Sequence, residues 1–77
     1  MLTPPQVLEH DYLVSRHQIL EIAAMMDRYD AALERAGSGG QGDAKQLAIL
    51  RKALAIAADP KPAQDRTVAL LELFATA

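Results

Sequence analysis

His10 and Asp11 stand side by side, and His17 and Glu21 follow at the i, i+4 spacing that sets two side chains on one face of a helix. An imidazole and a carboxylate so placed can hold a divalent cation such as zinc. His10, His17 and Glu21 share one face at spacings of seven and four, yet His10 lies about 10 Å along a helix axis from His17. Two ligands make a weak site, and only a dimer uniting two such pairs would complete it; a solvated polar face is the expectation for one chain. Ser15 has no histidine within a turn on its own face and no other triad base, which argues against a nucleophilic serine. Asp11, Ser15 and Gln18 are expected instead to hydrogen-bond across a helix interface and fix its register. Cysteine is absent, so disulfides and thiolate metal sites are excluded. No catalytic residue can be assigned, the chain is not expected to be an enzyme, and no cofactor is implied.

The elements that would carry these groups are helices. Thr3-Pro4-Pro5-Gln6 fits a capping box with proline at the first helical position. No proline or glycine then interrupts the chain before Gly37. Leu8, Tyr12, Ser15, Ile19, Ile22, Met26, Tyr29, Leu33 and Ala36 recur at alternating spacings of four and three, a heptad seam with one polar lapse at Ser15. A helix over 4–36 follows, about 50 Å long. Gly37 suits the residue after a helix end, and 37–42 reads as a flexible glycine-rich linker. No strand precedes it and no Gly-Lys-Ser/Thr follows, so it is not a phosphate-binding loop. Asp43 is expected to cap a second helix over 44–58, whose apolar positions cover more than half its circumference. Asp59-Pro60-Lys61-Pro62 ends it, and a third helix is expected over 62–75. The fold class is all-α, a single helical domain in which two shorter helices fold back on one long N-terminal helix.

Seventy-seven residues make one domain at most. Hydrophobic residues reach 51%, but fifteen are alanines, which leaves a thin core for three packed elements. Small domains in that position rely on disulfides, a metal or a partner chain, and a partner chain is the remaining default. The net charge of −2 gives no basic face to displace phosphate counterions, so nucleic acid is not an expected partner. Nor is a membrane: the longest apolar run, Ala53 to Ala58, falls far short of the ~20 residues of a span. Helix one is also acidic where a membrane-surface helix would be rich in Lys and Arg. Met1 to Pro5 has no signal-peptide pattern, and the cytoplasm is the expected location. Six acids against three arginines give helix one a net −3, whereas four basic residues against two acids give 43–61 a net +2. Opposite signs favour pairing of these helices.

The surplus apolar surface is expected in the first half of helix one. A second helix half as long could cover only Ile22–Ala36, and Leu8–Ile19 would need another partner. Leu13, Val14 and Leu20 lie off the seam, so no single helix covers both stripes. Arg16 has Tyr12, Leu13, Ile19 and Leu20 at three and four residues either way, none of them acidic. Tyr12, Leu13, Arg16 and Leu20 form a candidate interface patch. In an antiparallel two-fold pair centred near Tyr12 and Leu13, Glu9 would face Arg16 of the other chain. The expected function is a non-catalytic helical protein–protein interaction module acting as a homodimer, adaptor or regulatory subunit. A small metal- or ligand-binding bundle using His10, His17 and Glu21 across a dimer is the alternative.

Overall fold

A computed structural model of the protein describes residues 1–37 and 44–76, and the described residues form three helices and no strand. They are α1 (Pro4–Ala36), α2 (Lys45–Ala58) and α3 (Arg66–Ala75). The long N-terminal helix followed by two shorter ones is the expected order. Contacts divide the chain into two compact units, Met1–Gly40 and Gln41–Ala77. The first unit is α1 alone. In the second, α2 packs on α3.

The start of α1 is built as its sequence dictates. Thr3 is the N-cap in an extended conformation, and the Gln6 backbone N–H donates to its hydroxyl at 3.4 Å. The Thr3 backbone N–H in turn donates to Gln6 Oε1 at 2.9 Å. Two of the N–H groups that a helix start leaves unpaired are thereby satisfied. Pro4, lacking an N–H, occupies the first turn at no loss. Thirty-three residues then run without a break. Gly37 ends the helix at φ 61°, ψ −141°, its N–H donating to the Leu33 carbonyl. Only glycine adopts that backbone readily. The rest of the glycine-rich linker, and Asp43 as the expected cap of α2, lie outside the described residues. Ala44 occupies the N-cap position of α2 and makes no side-chain capping hydrogen bond.

The second unit is a helical hairpin. Leu47, Ile49, Leu50, Ala53 and Ile56 of α2 are half-buried, as are Ala69, Leu70 and Leu73 of α3. The third helix begins at Arg66, four residues later than the expected 62. The connection explains the delay. Residues preceding proline are driven out of helical geometry, and the Asp59 carboxylate accepts the Lys61 backbone N–H at 3.0 Å, a local turn that competes with helix. Arg66 reaches back to donate Nε and Nη2 to the Asp59 carbonyl, pinning both ends of the connection together. Gln64, just before the N-cap Asp65, donates its amide to Glu72 Oε2 at 3.2 Å. Among the described residues no side chain is fully buried in either unit.

Candidate functional site

The apolar pattern of α1 can be followed residue by residue in the exposure of its side chains. Leu8 is 69% exposed, Tyr12 60%, Leu13 70%, Ile19 65% and Leu20 58%. Further along the same helix, Met25, Met26, Tyr29 and Leu33 are half-buried. The bare apolar surface therefore concentrates in the first half of α1. Its local geometry is fixed by the capping box at one end and by the uninterrupted run of helical residues beyond it.

Successive helical residues are about 100° apart, which places Glu9 and Arg16 on one line down this half of the helix. Leu8, Tyr12 and Ile19 lie to one side of that line, and Leu13 and Leu20 to the other. The face is about 140° wide. Tyr12, Ser15, Arg16, Ile19 and Leu20 line an open, mostly apolar depression along it. Leu13, Arg16, His17 and Leu20 line a second, shallower one. All four candidate patch residues thus meet around the Arg16 side chain. Arg16 itself forms no ion pair among the described residues, and neither does Glu9. This follows from the spacing: seven residues separate them, about 10 Å of axial rise, and no acid lies one turn from Arg16.

The histidines are placed otherwise. His10 Nδ1 contacts Asp11 Oδ1 at 2.7 Å, and His17 Nε2 contacts Glu21 Oε1 at 3.1 Å across one turn. All four residues are exposed. The structure brings His17 to Glu21 and leaves His10 a separate pair with its neighbour. Among the described residues no three histidine, aspartate or glutamate side chains converge as a metal-ligand set. This half of α1 exposes apolar area, one aromatic hydroxyl and, at Glu9 and Arg16, two charges of opposite sign without an ion-pair partner among the described residues.

A second exposed apolar surface went unassigned in the sequence. Leu71 is 65% and Phe74 49% exposed on α3, and Phe74 lines an open depression with Gln46, Ile49 and Leu50 of α2. The signal was present in the doublets Leu70-Leu71 and Leu73-Phe74. Adjacent residues diverge by about 100°, so one neighbour helix cannot cover both members of a doublet. Among the described residues no helix is long and apolar enough to cross a membrane. No family model, curated protein or solved structure matches this chain.

Proposed function

We propose that the chain is a non-catalytic helical interaction module that docks onto a protein surface through the first half of α1. The observation that carries this reading is the contiguous exposure of Leu8, Tyr12, Leu13, Ile19 and Leu20 around one unpaired arginine. Covering a large apolar side chain stabilises by about 1.5–3 kcal/mol, and soluble monomers rarely leave such residues contiguous and bare. Tyrosine and arginine set among leucines match the composition of binding hot spots. His10, Asp11, His17 and Glu21 supply a polar rim whose charges stay in water. The partner is read as protein because α1 is acidic overall, which suits neither a phosphate backbone nor an anionic lipid surface.

Paired baits test the reading. The wild-type chain and a Leu13→Glu, Leu20→Glu variant are compared by sedimentation and by affinity capture from cells that make the protein, with circular dichroism to confirm equal helix content. Association of either kind, with self or with another protein, is expected for the wild type and lost in the variant. A monomeric wild type whose captured proteins are identical to those of the variant would remove the docking role.

A further inference from the structure

Resting on the docking role of this face, we infer that its occupant is a second copy of the chain, bound antiparallel across a two-fold axis between Tyr12 and Leu13. Charge complementarity carries the argument. Glu9 and Arg16 lie on the centre line of the face, and among the described residues neither has an ion-pair partner. On one helix they stand too far apart to meet. An axis midway between residues 12 and 13 sets residue 9 of each copy level with residue 16 of the other, so the two unpaired charges of each copy are matched twice over. A parallel pair would instead set Glu9 against Glu9 and Arg16 against Arg16. Repulsion excludes that register.

The apolar positions obey the same operator. In an antiparallel pair of helices each flank of the face meets the same flank of the second copy, as an isologous contact requires. On one flank Tyr12 meets Tyr12 of the second copy, and Leu8 comes level with its Ile19 to within about two residues of rise. On the other flank Leu13 meets Leu13. His10, His17 and Glu21 lie about 80–140° round the helix from the centre line, so this pairing leaves them at the rim or in water and does not unite them around a metal. The strip from Leu8 to Leu20 is about 18 Å long. That is a small interface, and dissociation on the order of micromolar or weaker is expected.

Charge reversal tests the pairing on the full chain by sedimentation equilibrium across the micromolar range. Both residues are exposed and away from the caps, so Glu9→Arg and Arg16→Glu should leave the helical circular dichroism unchanged. Each single variant is expected to self-associate at least about tenfold more weakly, because like charges then oppose each other at both ends of the interface. An equimolar mixture of the two single variants should recover the dimer, and so should the double variant alone. A double variant as monomeric as the singles overturns the antiparallel register. Unchanged mass in both single variants, with dissociation in Leu13→Glu, Leu20→Glu, overturns the charge pairing while leaving the face as the docking surface. A dimer that survives even Leu13→Glu, Leu20→Glu removes the docking role as well. A wild type monomeric throughout the range overturns the second copy as occupant.

Discussion

The first half of α1 and the α2–α3 hairpin are about equally rich in leucine and isoleucine, yet they use those side chains differently. In the hairpin a short connection returns α3 onto α2, and Leu47, Leu50, Ala53, Ile56, Leu70 and Leu73 become half-buried against one another. In α1 the helix runs on for 33 residues without a turn, and Leu8, Tyr12, Leu13, Ile19 and Leu20 of its first half stay more than half exposed. Within the hairpin, the position of the chain reversal decides which apolar residues are covered.

The sharpest way to break this contrast is to truncate one leucine in each region. Leu70→Ala is expected to destabilise the hairpin by about 2 kcal/mol, at the low end of the range for core leucines because the residue is only half-buried. Urea unfolding followed by circular dichroism reads the loss. Leu13→Ala should leave the unfolding midpoint of the dissociated chain unchanged and weaken association alone. Equal losses of monomer stability at both sites would mean that the two regions do the same work.

The contrast between the regions was legible where local chemistry decides and illegible where distant residues do. Thr3 and Gln6 announce the start of α1 because a capping box needs only residues three apart, and Gly37 announces its end because its backbone conformation is nearly glycine's alone. The grouping of Tyr12, Leu13, Arg16 and Leu20 on one exposed face was legible too, since helical periodicity alone sets it. The late start of α3 was not. It depends on the reach of Arg66 back to Asp59, a contact seven residues apart that no periodicity encodes. The exposed Leu71 and Phe74 were missed for a related reason. A helix apolar on most sides has one face covered and another bare, and only the neighbour's position tells which.

The ends of α1 sharpen the comparison at smaller amplitude, since the proposed docking face requires the helix to be intact beneath it. Gly37→Ala is expected to cost about 1 kcal/mol. A Cβ there meets no atom within 4 Å, so the penalty is backbone conformation at φ +61° and not collision. Gly37→Asn should recover little of it, because asparagine tolerates positive φ in the left-handed helical region and ψ −141° lies outside that region. Thr3→Ala removes the hydroxyl that accepts from Gln6 and should cost about 0.5–1 kcal/mol. Hydrogen exchange would locate that loss in the first turn, with Leu8 to Leu20 still helical. Loss of self-association in Thr3→Ala without fraying of the first turn would place part of the interface at the cap itself.

The smallest effect is the most discriminating. Val14 is as exposed as Tyr12, and composition alone would count it in the same patch. At about 100° per residue, however, Val14 sits about 160° from Arg16, on the far side of the helix from the Glu9–Arg16 line. Val14→Lys should therefore change neither association nor folding by more than about 0.5 kcal/mol, the range of a surface substitution that touches nothing. The same substitution at Leu13, one residue earlier, inserts a cation beside the two-fold axis, where its symmetry mate lies opposite, and should abolish the dimer. Sedimentation of Val14→Lys and Leu13→Lys side by side thus separates a face defined by helical geometry from one defined by hydrophobicity. If both variants dissociate together, α1 associates by general apolar contact, and the direction in which Arg16 points carries no meaning.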